Sequence, residues 1–244
     1  MKQKIYTIPI NEAFDSGGEA IKGCICPFCA IAERLDNEAV EYTLGAAMME
    51  PDFRITTNEK GFCGEHISKL TAQTKALPLA LIMQSQSALW NERLSSFGAW
   101  DKKKLFGKSD LKDTAAKLSA AANGFLSSCA ICDKVEHTMS MFFENTIYIW
   151  KTESQFREKF SSKSFCLKHF SALVTHGASG LGEKDFETFY TELYEAQMSF
   201  LGSVHDDVSE FTKLFDHRSG KELPPQEVKS ALKRAVHVYS DVKR

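Results

Sequence analysis

Cysteine and histidine residues occur in this chain at a spacing that suits the binding of metal ions. Six of the seven cysteines and two histidines form four short motifs, and each motif has two residues between its ligands. In chain order the motifs are Cys26-x-x-Cys29, Cys63-x-x-His66, Cys129-x-x-Cys132 and Cys166-x-x-His169. Three thiolates and one imidazole complete the tetrahedral ligand set of a structural zinc ion. The eight residues therefore predict two Cys3His sites that bind two zinc ions per chain.

The second pair of motifs repeats the first pair at an offset of 103 residues. When residues 26–70 are placed over residues 129–173 without a gap, 14 of the 45 positions are identical. Self-similarity at a fixed period indicates a duplicated unit. Four protein ligands fill a tetrahedral site and leave no open position for a substrate, which favours a structural role of the metal over a catalytic one.

The sequence allows two ways of combining the ligands. In the local arrangement, each CxxC motif shares a metal with the CxxH motif that follows it. The crossed arrangement combines Cys26 and Cys29 with Cys166 and His169, and Cys63 and His66 with Cys129 and Cys132. Because short connections usually join neighbours, we favour the local arrangement. It requires either that residues 50–62 return largely extended after a helix over residues 27–49, or that this helix breaks early, near Gly45.

An iron–sulfur cluster is the chemical alternative to zinc. Histidine can replace cysteine as a cluster ligand, and Cys24, which lies outside the four motifs, could add a thiolate beside Cys26 and Cys29. Ser127 stands where the second unit would need the equivalent of Cys24. Ligand softness favours zinc. Cys24 is also a candidate reactive thiol, because it precedes a predicted helix N-terminus, although an inert thiol is the simpler interpretation.

Charged residues that match between the two units are candidates for supporting the ligands. Glu33 matches Glu136, and Arg54 matches Arg157. A carboxylate could orient a ligand imidazole, and an arginine could offset thiolate charge. The alternative is that all four are exposed charges on helix surfaces.

Apolar residues recur at helical spacing through most of the chain, so helices must position the four motifs. Pro27 suits the first position of a helix, and apolar residues follow at three- and four-residue steps. Pro51 should end that helix, and Pro78 should begin another. Lys4 to Ile10 alternates and predicts a short strand or an extended arm. The predicted fold class is all-α, a duplicated helical unit with pseudo-twofold symmetry, each half organised around one Cys3His site.

The predicted organisation divides the chain into four segments. Residues 1–100 form an N-terminal half with the first motif pair, and residues 101–125 form a linker with an extra helix. Residues 126–218 form a C-terminal half with the second motif pair, and residues 219–244 form a C-terminal helix.

Composition excludes several classes of function. The chain has 244 residues, of which 43% are hydrophobic and 25% charged, as is ordinary for globular proteins. A net charge of -2 attracts neither nucleic acid nor an anionic membrane. No apolar run reaches the roughly 18 residues of a membrane span. Met1 to Phe14 has no secretory pattern, so we expect a cytoplasmic protein with reduced thiols.

In its cysteine and histidine motifs the chain resembles a family of uncharacterised bacterial proteins, mainly from clostridial-type anaerobes. The members of this family carry paired CPxC and GFCxxH elements. Residues 61–66, Gly-Phe-Cys-Gly-Glu-His, match the second element closely. The second copy departs from the pattern, since Ser164 replaces the glycine and Ala130 replaces the proline. The resemblance covers roughly residues 5–218. It implies a cytoplasmic, mainly helical, metal-binding protein, and it implies no activity.

Two functions remain open from the sequence. The leading hypothesis is a zinc-binding helical protein that acts as a structural or interaction module and has a protein partner. The alternative is a redox protein or enzyme of anaerobic metabolism that uses an iron–sulfur cluster or thiolate-bound metal, for which Cys24 is the supporting residue. Nucleic-acid binding is disfavoured because the chain lacks a basic recognition face.

Overall fold

The computed structural model describes residues 6–15, 26–97, 108–215 and 226–239. Within these ranges the regular structure is entirely helical, which confirms the predicted all-α class. The α-helices are α1 (Thr7–Asp15), α2 (Pro27–Thr43), α3 (Pro51–Lys60), α4 (Gly64–Ala72), α5 (Ala76–Phe97), α6 (Lys108–Leu126), α7 (Ala130–Thr152), α8 (Ser154–Ser161), α9 (Leu167–Gly180), α10 (Glu183–Lys213) and α11 (Gln226–Tyr239). None of these helices combines the length and the apolar character needed to cross a bilayer.

The chain forms two compact units. Unit 1 comprises Met1–Arg34 and Thr138–Arg244, and unit 2 comprises Leu35–His137. Both boundaries fall inside helices, because α2 and α7 each begin in one unit and end in the other. Unit 2 is therefore an insertion in the sequence of unit 1, and the midpoint of the repeat is not a boundary between the units.

The core of unit 1 is built from phenylalanine rings. Phe14 of α1 lies 5.7 Å from Phe28 and 5.0 Å from Phe156, measured between ring centroids. Phe160 lies 5.3 Å from Phe165 in the same way. All five rings are at most 2% exposed. Such edge and tilted contacts are favourable for aromatic pairs and add to the burial of apolar area.

The core of unit 2 is mainly aliphatic. Its buried members come from α2, α4, α7 and the residues directly after α2 and before α7, and they are Ala39, Val40, Leu44, Leu70, Cys129 and Ile131. Phe62, Cys63 and Cys132 are partly buried and pack against this cluster. Predicted metal ligands therefore form part of the wall of this core.

Two local predictions are wrong. Pro51 does not end the first helix, which stops at Thr43, but occupies the first turn of α3, where proline has no N–H to lose. The predicted strand at Lys4 to Ile10 is replaced from Thr7 onward by α1, whose residues Ile10 and Phe14 lie buried on one face.

Candidate metal centres

The structure gathers the eight predicted ligands into two groups of four, each group lying within one compact unit. Site A consists of Cys26, Cys29, Cys166 and His169. Site B consists of Cys63, His66, Cys129 and Cys132. Each site thus takes a CxxC motif from one copy of the repeat and a CxxH motif from the other. The local arrangement, with one site in each sequence half, is wrong, and the crossed arrangement is the observed one.

Contacts beside site B explain why the crossed arrangement forms. The first helix ends early, at Thr43, so the length of the chain between the motifs does not exclude the local arrangement. The loop after α3 is, however, held to the start of α7. The backbone N–H of Ala130 donates to the carbonyl of Gly61 at 3.0 Å, and the hydroxyl of Ser128 donates to the carbonyl of Lys60 at 2.7 Å. Lys60 also forms an ion pair with Asp133. These bonds place Cys63 beside Cys129.

Gly61 makes this loop possible. Its φ of 61° lies in the left-handed region, where glycine carries no steric penalty. A side chain at this position would also meet the ring of Phe125, whose Cζ would be 2.6 Å from the added Cβ.

Helix N-termini point into both sites. Cys63 and Cys166 are the N-cap residues of α4 and α9, and each histidine follows at the third helical position. Cys26 and Cys129 directly precede α2 and α7. The two intervening residues of each motif therefore span the first helical turn and place both of its ligands on the same side. The partial positive charge of a helix N-terminus stabilises thiolate.

The ligand atoms have closely similar separations in the two sites. In site A, Nδ1 of His169 lies 3.4 Å from Sγ of Cys26 and of Cys29 and 3.3 Å from Sγ of Cys166. In site B, Nδ1 of His66 lies 3.2, 3.2 and 3.3 Å from Sγ of Cys63, Cys129 and Cys132, respectively. The sulfur atoms of Cys29 and Cys166 are 3.6 Å apart, and those of Cys63 and Cys132 are 3.8 Å apart.

These separations are compatible with a single tetrahedral ion at each centre. With Zn–S bonds of about 2.3 Å and Zn–N bonds of about 2.0 Å, the edges of a tetrahedron are about 3.8 Å between sulfurs and about 3.5 Å between sulfur and nitrogen. All four ligand atoms in each site lie within 4.8 Å of one another.

Site B has a charged support that the sequence did not reveal. Nε2 of His66 lies 2.7 Å from Oδ1 of Asp36, and Nζ of Lys69 lies 2.7 Å from Oδ2 of the same carboxylate. Glu65 in turn pairs with Lys69 at 2.9 Å. A carboxylate on the outer nitrogen of a ligand histidine fixes the ring and its tautomer, so that Nδ1 faces the sulfurs.

Protonation equilibria in site B reflect its crowded charges. Burial and the neighbouring thiols raise the pKa of Cys132 to about 12. Burial opposes ionisation of Cys129, but its hydrogen bond with His66 prevails and lowers the pKa of this thiol to about 6. Burial likewise opposes the charged form of His66, but hydrogen bonds to Asp36 and Cys129 raise its pKa to about 10. Adjacent thiolates repel one another, so a divalent cation between them would favour the fully ionised set.

Site A lies in aromatic surroundings instead. The rings of Phe28 and Phe143 are each centred 5.9 Å from the ring of His169. Cys26, Cys166 and His169 are 1%, 5% and 6% exposed. The described part of the chain gives His169 no carboxylate partner of the kind that His66 has. Burial and the neighbouring Cys166 raise the pKa of Cys26 above its usual value.

A buried glutamine holds the segment that leads into Cys166 of site A. Oε1 of Gln197 accepts from the backbone N–H of Phe165 at 3.3 Å, and its Nε2 donates to the carbonyl of the same residue at 2.9 Å. The residue before Cys166 is thus fixed by a side chain of α10, which sequence spacing alone did not indicate.

The matched charges do not have the contacts that ligand support would give them. Arg54 donates to the carbonyl of Leu81, and Arg157 pairs with Glu192. Asp36 has the role considered for Glu33. Cys24 lies outside the described residues.

Comparison with known proteins gives a family but no activity. A family model described as a family of unknown function, DUF6062, matches residues 1–243. No curated protein and no solved structure matches the chain.

Proposed function

Since the chain belongs to the DUF6062 family, whose function is unknown, we propose its function from the two sites: a zinc-binding helical protein in which each Cys3His site stabilises one compact unit, and which acts as a structural or interaction module. The observation that carries the proposal is the pair of closed ligand sets. At each centre four protein ligand atoms lie within 4.8 Å of one another, which is enough to fill a tetrahedral site, so a substrate would have to displace one of them.

Ligand spacing supports zinc over an iron–sulfur cluster. In a cluster, several iron and sulfide atoms lie between the protein ligands, so ligands bound to different irons stand farther apart than those around one ion. The ligand atoms of sites A and B are all within 4.8 Å of one another, which suits one central ion. Among single ions, zinc is the usual partner of a closed Cys3His set.

The positions of the ligands along the chain support a structural role. Site A joins Cys29 to Cys166, which are 137 residues apart, and site B joins Cys63 to Cys132, which are 69 residues apart. Closing such long loops with one ion restricts the unfolded chain strongly. Metal binding at sites of this kind is coupled to folding.

Metal analysis combined with thermal unfolding tests this function. Chain purified under reducing, oxygen-free conditions should contain about two zinc ions, and removal of zinc by a chelator should lower the midpoint of thermal unfolding, with recovery on re-addition. Iron and sulfide with absorbance near about 400 nm would contradict the zinc assignment. Unchanged unfolding after complete metal removal would contradict the structural role.

An interaction role is the second part of the proposal. Unit 1 exposes large apolar side chains on the surfaces of two helices, α10 and α11. Contiguous exposed apolar groups are typical of surfaces that bind another molecule.

A further inference from the structure

A stripe of exposed apolar side chains runs along the first half of α10. Tyr190, Tyr194 and Met198 are 41%, 45% and 50% exposed and recur at every fourth residue. This spacing places them on one face of the helix, over a length of about 12 Å. The rings of Tyr190 and Tyr194 stack with centroids 5.9 Å apart and an angle of 19°. We call this face the α10 stripe.

The border of the α10 stripe is mainly acidic. Glu183 and Glu187 lie exposed on the same face, and Glu195 lies exposed at its flank. Lys184 is the one exposed basic residue in this part of α10. A partner for this surface should therefore offer apolar side chains flanked by positive charge.

α11 carries a surface with that chemistry. Leu232, Val236 and Tyr239 are 52%, 49% and 54% exposed and cover about 10 Å of one helix face. Lys229 and Lys233 are exposed on the same face. We call this the α11 face. Its apolar length and its charge both complement the α10 stripe.

Within one chain the packing of α11 against α10 leaves the α11 face exposed. Val228, Ala231 and Val238 of α11 are buried instead. Arg234 of α11 pairs with Asp207 in the second half of α10. Since Leu232, Val236 and Tyr239 remain exposed in this packing, the α11 face is available to a second molecule.

We propose that two copies of this chain associate, with the α11 face of each copy packed on the α10 stripe of the other. In this dimer a twofold axis makes the contact reciprocal, so both surfaces of each copy are used and the assembly closes at two copies. It rests on the proposed interaction role but not on the identity of the metal. Burial of six apolar side chains per contact provides the attraction, and the flanking charges select the orientation of the helices.

Charge reversal gives a sharp test with the full, metal-loaded chain. Lys229→Glu with Lys233→Glu makes both surfaces acidic, and Glu187→Lys with Glu195→Lys makes both basic. Each double variant alone should dimerise about tenfold more weakly or worse, because like charges then face each other. Their equimolar mixture should form a one-to-one heterodimer, since every contact in it joins an acidic to a basic surface. Sedimentation velocity and light scattering measure these states.

Replacement of exposed apolar side chains by aspartate completes the test. Tyr194→Asp or Leu232→Asp should each make the chain monomeric, whereas Leu77→Asp, at an exposed leucine of α5 in the other unit, should leave the dimer intact. Circular dichroism and zinc content are measured on every variant, so a lost metal or a lost fold is distinguished from a lost contact. A wild-type chain that stays monomeric up to about 1 mM, or a charge-reversed mixture that gives no heterodimer, would overturn the proposal and assign these faces to a different protein.

Discussion

Substitution of Asp36 should weaken metal binding at site B and leave site A unchanged. Asp36 accepts a 2.7 Å contact from Nε2 of His66, and this carboxylate is only 16% exposed. Loss of such a partner on a ligand histidine typically reduces metal affinity by about 10- to 100-fold, which corresponds to about 1.4–2.7 kcal/mol. Asp36→Asn keeps an acceptor oxygen but removes the charge, so we expect a loss near tenfold. Asp36→Ala removes both, so we expect a loss nearer a hundredfold.

The assay is a competition titration in which a chromophoric chelator removes zinc from each variant under reducing conditions. Site A, in the other compact unit, is the internal reference, and Glu41→Gln, an exposed acid on α2, is the matched control. Lys69 keeps Glu65 as a partner in both variants, so its release does not dominate the result. Equal zinc affinity in Asp36→Ala and wild type, or an equal loss at both sites, would refute the role given to Asp36.

Three further changes test other parts of the structure. Cys63→Ser should remove about one zinc per chain and increase hydrogen exchange mainly in unit 2, because a ligand of site B alone is lost; exchange rising equally in unit 1 would argue against independent sites. Gly61→Ala should lower the free energy of unfolding, measured by chemical denaturation, by about 1–3 kcal/mol, because the new side chain is strained at a positive φ and clashes with Phe125. Gly64→Ala is the control, since nothing lies within 4 Å of its added Cβ, and it should change this free energy little. Gln197→Leu should cost about 2 kcal/mol in the same measurement because two backbone groups lose their partner; a value near zero would show that they find others.

The ligands and the fold class were predictable because both depend on short-range spacing. A CxxC or CxxH motif places its two ligands within one helical turn, and the apolar period of α2 is visible in the sequence. Pro27 correctly marked the start of that helix. The helical content therefore followed from local sequence.

The pairing of the motifs was not predictable because it depends on contacts between distant residues. The bond from Ala130 to Gly61 and the ion pair of Lys60 with Asp133 join segments about 70 residues apart. The preference for neighbours in sequence gave the wrong answer here, since these contacts place Cys63 beside Cys129 and Cys132.

The repeat does not reveal Asp36, because this residue occurs in only one of the two copies. Met139 stands 103 residues after Asp36, so this carboxylate has no match in the repeat. The available signal was an acidic residue two helical turns after Cys29, but several other acids on α2 have similar spacing. Only the position of His66 distinguishes among them.

Metal counting in two double variants tests the crossed metal sites most directly. Native mass spectrometry would measure the zinc content of Cys63→Ser with Cys129→Ser, and of Cys26→Ser with Cys63→Ser. In the crossed arrangement the first pair damages only site B and the second pair damages both sites. We therefore expect about one zinc in the first variant and none in the second. No zinc in the first variant and one zinc in the second would contradict the crossed sites and restore the local arrangement.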